Sequence, residues 1–263
     1  GDGLCDETLW MNGAVGKFSC PGLLCLPGTF NVNGRQMTED DLCNECPGDE
    51  NSTFYGSTYC SALEKEQATR ILKSMYDTMG GSRWYNQEGW SSSTDVCEWY
   101  GVECNEGSQV GSIALGANNL VGSLPEEIYE ISGLESLWLY SNPITVGFSG
   151  IEKAKTLRSL QLDSTGLTSL DGIGGAPALS EIDVRFNRID GKLPSELGKL
   201  SRLESFFCES NQLSGTLPKF EQNRKLISLR VGDNNFSGTL PAFNVHPKMQ
   251  TLDVSEYQFI GEL

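Results

Sequence analysis

From Val110 onward, apolar residues recur in a spacing that fits neither a lone helix nor a lone strand. The unit reads apolar-x-x-apolar-x-apolar-x-x-polar-x-apolar and starts at Val110, Leu134, Leu157, Leu179, Leu203, Leu226 and Met249. Successive starts are 24, 23, 22, 24, 23 and 23 residues apart. A near-constant period of this length marks a stacked array, in which each turn buries its apolar edge against the next. The apolar-x-apolar centre predicts a short strand with alternate side chains inward. The polar ninth position is Asn118, Asn142, Asn187, Asn211 and Asn234, replaced by Thr165 and Tyr257. Its amide can turn the chain and bond the backbone of adjacent turns. The next apolar position holds Leu120, Ile144, Leu167, Ile189, Leu213, Phe236 and Phe259. Gly122, Gly191, Gly215, Gly238 and Gly261 follow, then the pairs Leu124-Pro125, Leu193-Pro194, Leu217-Pro218 and Leu240-Pro241. The turns starting at Leu134 and Leu157 lack this Gly-x-Leu-Pro ending, so an irregular outer side is expected there.

Upstream, Leu63, Ile71, Leu72, Met75 and Met79 fall on one helical face. Ser61 and Glu64 form a capping box, and Gly80-Gly81 ends the helix. The segment from Trp84 to Trp90 leads to Cys97-Glu-Trp99-Tyr-Gly101-Val-Glu-Cys104, a short loop expected to close as a disulfide around Trp99. Trp84, Trp90 and Trp99 are read as packing for the end of the array rather than as a sugar platform.

Cysteine usage changes the picture of residues 1–60. Cys5, Cys20, Cys25, Cys43, Cys46 and Cys60 lie in a stretch almost without apolar runs, which disulfides must hold together. Cys43-x-x-Cys46 is half of a zinc ribbon, but it has no second pair and the chain holds one histidine, His246. No metal or other cofactor is therefore expected. Cys208 stands alone at an inward strand position and should be a buried free thiol. Sequons at Asn51 and Asn235 add a secretory signature. No leader peptide precedes Gly1, so the chain reads as a mature secreted form.

The 263 residues carry a formal net charge of −16, which disfavours nucleic acid. No run of about 20 apolar residues predicts a transmembrane segment. A protein, peptide or glycan ligand is compatible.

Residues 61–263 resemble plant-type leucine-rich-repeat ectodomains of plants and some protists. The resemblance rests on the helical cap, the Cys-x-Trp-x-Gly-Val-x-Cys loop and the repeated x-Asn-x-Leu-x-Gly-x-Leu-Pro. It implies an α/β solenoid, a right-handed superhelix with a parallel sheet on its concave face. It also implies extracellular binding of peptides, proteins or glycans. Cys25-Leu-Pro-Gly-Thr-Phe30 and Cys43-Asn-Glu-Cys46-Pro-Gly loosely resemble EGF-like and tumour-necrosis-factor-receptor-like modules. That likeness implies pairing of neighbours: Cys5–Cys20, Cys25–Cys43 and Cys46–Cys60. The expected domains are a cysteine-rich module at 1–60, a helical disulfide cap at 61–109 and repeats at 110–263. The last repeat stops without a cap, so further repeats, a cap or a partner are expected beyond it.

Catalytic chemistry has little support. His246 precedes Pro247 in a connecting segment and is expected at the surface. Gly172-Ile-Gly174-Gly175 reads as a turn, and Glu126-Glu127 and Glu39-Asp-Asp41 as solvated acids. The binding candidates are instead the residues between the inward positions. Trp138, Tyr140, Gln161, Asp163, Arg185 and Phe207 are expected to form a contact surface on the concave face. The convex side and the cysteine module remain alternatives, and so does a structural role in a self-associating extracellular assembly.

Overall fold

The computed structural model describes residues 23–24, 29–30, 35–36, 43–45, 61–92, 94–256 and 258–259. It divides into two compact units, residues 1–67 and 68–263. In the first, Leu23–Leu24 pairs antiparallel with Arg35–Gln36, and Thr29–Phe30 with Asn44–Glu45. Cys43 is disulfide-bonded. Cys5, Cys20, Cys25, Cys46, Cys60 and the sequon Asn51 lie outside the described residues.

Helix α1 covers Ser61–Thr78. Its buried stripe is Ala68, Ile71, Leu72 and Met75, and Met79 continues it past the helix end. Leu63, expected on that face, is 38% exposed, because the core this helix packs into starts only at Ala68. Gly80 takes a left-handed φ of 74° and ends the helix. Trp84, Trp90 and Trp99 are all buried, with ring centroids 4.9 and 5.1 Å apart in sequence order. Each indole N–H donates to a backbone carbonyl, of Met79, Tyr100 and Thr94 respectively. These rings are thus packing, with no free face for a sugar. Cys97 and Cys104 form a disulfide with Cα atoms 5.4 Å apart.

The repeats build one eight-stranded sheet. Its strands are β1 (Val102–Cys104), β2 (Val110–Ala114), β3 (Ser136–Trp138), β4 (Ser159–Gln161), β5 (Glu181–Asp183), β6 (Ser205–Phe207), β7 (Ser228–Arg230) and β8 (Thr251–Asp253). β1 meets β2 antiparallel; every later pairing is parallel. Each parallel strand is thus one turn of the period read in the sequence. The inward columns are closed from β2 to β7, and Leu137, Leu160, Ile182, Phe206 and Leu229 have no exposed surface. Cys208 sits fully buried in the same interior as a free thiol, and burial pushes its pKa up. On β8, Leu252 is 38% exposed.

The ladder asparagines hold successive turns together. Asn142 donates to the carbonyls of Leu115 and Leu139, and its Oδ1 accepts from the N–H groups of Asn118 and Leu120. Thr165 replaces one asparagine and donates its hydroxyl to Leu162 O, while Asn187 Oδ1 accepts from the N–H groups of Thr165, Gly166 and Leu167.

A second, shorter set of parallel strands lies on the other side of the turns. Asp190–Gly191, Gln212–Gly215, Asn235–Gly238 and Gln258–Phe259 form one group, and Gly122–Ser123 with Ile144–Thr145 another. The break between the groups falls at the turn starting at Leu157, whereas the turn starting at Leu134, which also lacks Gly-x-Leu-Pro, keeps its strand Ile144–Thr145. The sequon residue Asn235 is exposed on this side.

His246 is not a surface residue. It is 5% exposed, and its Nε2 lies 2.9 Å from Phe220 O. Asn223, one repeat earlier, reaches Leu197 O in the same way. The sequence of a connecting segment hides this, because the imidazole serves as a rung between turns and a buried carbonyl needs a donor.

Candidate functional site

The parallel register brings the outward side chains of seven strands into columns. Ala114, Trp138, Gln161, Asp183, Phe207, Arg230 and Asp253 stand directly beside one another. Just past the strand ends come Tyr140, Asp163, Arg185 and Glu209, tied across turns by bonds such as Leu139 N–H to Gln161 O and Ser141 N–H to Asp163 O. All six expected contact residues therefore share one face. Four strand steps separate Trp138 from Arg230, a strip of about 19 Å.

A third column escaped the sequence reading. Ser112, Ser136, Ser159, Glu181, Ser205, Ser228 and Thr251 lie in register ahead of the other two. The signal was a hydroxyl at the same offset in six turns, visible by aligning that position as well. Ser159 accepts from Trp138 Nε1 at 2.9 Å and donates to Glu181 Oε2 at 3.0 Å. Trp138 is thus oriented by a two-link chain. Tyr140, 38% exposed, leans over Gly116 of the preceding turn, where even a Cβ would lie 2.3 Å from its Cζ. Both aromatics are half-packed platforms rather than free side chains.

Arg185 does not simply bridge Asp163 and Glu209. Its Nε and Nη2 grip Asp183, two residues back in the same turn, with contacts of 2.9 Å and 2.6 Å. That fork is bidentate and Asp183 is buried, which holds the guanidinium firmly protonated. Arg185 also lies 5.4 Å from the centroid of Phe207, and Arg230 lies 5.5 Å from it. Phe207 is therefore flanked by two cations. Arg230 reaches Glu209 at 4.0 Å, and Glu209 Oε2 is buried with no hydrogen-bond partner. Burial raises the Glu209 pKa. Burial, then the neighbouring Asp183, raises that of Asp163. The strip thus runs from aromatic platforms through an amide and a carboxylate to an arginine–phenylalanine–arginine cluster, on the strands or just past their ends.

Comparison with known proteins agrees with this architecture. Residues 70–105 match the model described as leucine rich repeat N-terminal domain, and residues 178–200 match leucine rich repeat. The chain carries a plant-type leucine-rich-repeat solenoid. It is 33% identical over 135 residues to Protein BRASSINOSTEROID INSENSITIVE 1 of Arabidopsis thaliana, a match covering 48% of this chain and 11% of that protein. It is 30% identical to Receptor-like protein kinase BRI1-like 3 of the same plant, covering 75% of this chain and 16% of that protein. The chain therefore spans less than a fifth of the length of either relative, and the kinase in such names refers to other domains. Among solved structures, the ectodomain of the Arabidopsis receptor kinase HAESA, in complex with an extended IDA peptide hormone, superposes with a TM-score of 0.67. That match has 26% identity and covers 75% of this chain and 34% of that one. No helix among the described residues of the solenoid is long and apolar enough to cross a membrane.

Proposed function

We propose that this chain is an extracellular, non-catalytic recognition module whose solenoid binds a peptide or protein segment along its concave strip. The observation that carries the reading is the strip itself: Trp138 and Tyr140 at one end, the Arg185–Phe207–Arg230 cluster at the other, and desolvated carboxylates between. Half-exposed aromatics and arginines beside polar groups are the usual anchors of binding surfaces. Their rigid strand scaffold limits the ordering entropy lost on binding. An extended peptide of about six residues matches the strip's ~19 Å. The HAESA complex supports the reading, since a solenoid of the same fold holds a peptide hormone. The Cys97–Cys104 and Cys43 disulfides fit an oxidising, extracellular setting. In this reading residues 1–60 are a separate disulfide module, and Asn51 and Asn235 carry glycans.

The test is partner capture from extracellular fluid with the wild-type chain, followed by affinity measurement with a Trp138→Ala, Tyr140→Ala variant. A loss of about tenfold or more in affinity, with the melting temperature of the repeats kept, is expected. Unchanged affinity in a folded variant overturns the concave assignment.

A further inference from the structure

One backbone position is left-handed in every repeat. It immediately precedes the ladder position and is held by Ala117, Ser141, Ser164, Phe186, Ser210, Asp233 and Glu256, with φ between 51° and 58°. The fold imposes this, because the N–H of each of the first six donates to a carbonyl of the next turn; Phe186 N–H reaches Glu209 O at 3.0 Å. Six turns fill the position with small or polar side chains, which tolerate such a backbone best. Phe186 is the exception, and a bulky side chain at positive φ is strained. Its ring is 59% exposed and, among the described residues, stacks on no other ring or cation. The residue carries backbone strain and solvent exposure while contributing little to the core. Strain of this kind collects at functional sites.

What surrounds Phe186 is equally particular. A depression of about 720 Å³ opens beside it, lined by Phe186 itself and by Pro143, Ile144, Ser164, Gly166 and Arg188 among others. It lies where the second set of strands is broken, between Ile144–Thr145 and Asp190–Gly191. Arg188 is exposed, is the one charged residue of the lining and makes no ion pair among the described residues. In a chain of net charge −16, the groove sets one positive charge, Arg188, beside the apolar Pro143 and Phe186 of its lining, with the exposed Asp190 two residues further on. Its chemistry selects against basic partners and for a carboxylate, which a guanidinium binds with directed hydrogen bonds.

We infer that this groove is a second docking site, separate from the concave strip, for an extended segment of a partner protein bearing an acidic residue next to an apolar one. The apolar side chain rests on Phe186 and Pro143, and the carboxylate meets Arg188. Serine occupies the Phe186 position in three other turns, so Phe186→Ser removes the ring without disturbing the ladder.

A random-peptide display library, selected on the wild-type chain and counter-selected on Phe186→Ser, tests this directly. Peptides that survive should share an acid beside an apolar residue. Synthetic survivors should bind Phe186→Ser about tenfold more weakly or worse, and Arg188→Gln several-fold more weakly, with the wild-type affinity falling as salt rises. Phe186→Ser itself should melt at the wild-type temperature or above it. Trp138→Ala should leave these peptides bound, which separates this site from the concave strip. The proposal is overturned if no peptide survives counter-selection, if survivors lack an acid, or if Phe186→Ser melts lower because the ring supports the fold.

Discussion

The turns at residues 134–178 and those at 179–248 share one interior and differ on the outside. In the later turns, Gly191, Gly215 and Gly238 adopt left-handed backbone and a continuous set of short parallel strands forms behind the main sheet. In the earlier turns that set is broken. Yet Leu137, Leu160, Ile182, Phe206 and Leu229 are all fully buried, so the inward columns do not register the difference. The ladder does. Asn187 Oδ1 accepts from three backbone N–H groups at the irregular turn, whereas Asn211 Oδ1 accepts from Ile189 N–H alone. The lesson is that inward columns and rungs hold the solenoid, while the outer pattern is free to lapse. Where it lapses, one side chain takes over the satisfaction of the backbone, and surface becomes available for contact.

The largest effects should be the same in both regions. Leu160→Ala and Phe206→Ala each remove fully buried side chains, and each should destabilise by about 3–5 kcal/mol in denaturant unfolding. A markedly smaller loss at Leu160 would show that the irregular turns are packed less tightly. The rungs should separate the regions. Asn187→Ala strands several buried donors and should cost about 3 kcal/mol or more, against about 1–2 kcal/mol for Asn211→Ala. Equal losses would contradict the idea that one rung carries the irregular turn. Breaking the cap with Cys97→Ser and Cys104→Ser should cost about 2 kcal/mol, since so short a loop constrains the unfolded chain modestly.

The smallest effect is a pH dependence that has one contributor in each region. Asp163 and Glu209 both have pKa values raised by burial. A raised carboxylate favours the folded state below its unfolded pKa and loses that contribution as pH climbs through its folded pKa. Asp163→Asn and Glu209→Gln should therefore raise the melting temperature slightly at pH 7 and leave it nearly unchanged at pH 3. A drop at pH 7 would mean that ion pairing with Arg185 or Arg230 outweighs burial.

Most of the fold was legible because it is periodic. Seven starts at near-constant spacing placed every parallel strand of the main sheet, and the missing Gly-x-Leu-Pro ending marked the break in the second strands at the Leu157 turn but not at the Leu134 turn, whose Ile144–Thr145 still pairs. Non-periodic features were not legible. His246 precedes Pro247 in a connecting segment and so reads as surface; its rung role, matched one turn back only by Asn223, makes no pattern in the sequence. Leu63 fitted the helical stripe, but where a helix meets its core is a tertiary fact. Within the candidate site, the outward columns followed from strand alternation, whereas the Arg185–Asp183 fork did not. A partner two residues back in the same turn competes with partners on neighbouring turns, and only geometry decides between them. The Ser and Thr column was present in the alignment but lay two residues ahead of the nearest outward column read.

The central claim is that recognition runs along the concave strip, and side-chain oxidation footprinting of the chain with and without its captured partner tests it most directly. Trp138, Tyr140 and Phe207 should each lose reactivity several-fold on binding, while Tyr85, which is 75% exposed at the cap, stays unchanged. Unaltered reactivity of Trp138, Tyr140 and Phe207 in a saturated complex would contradict the account.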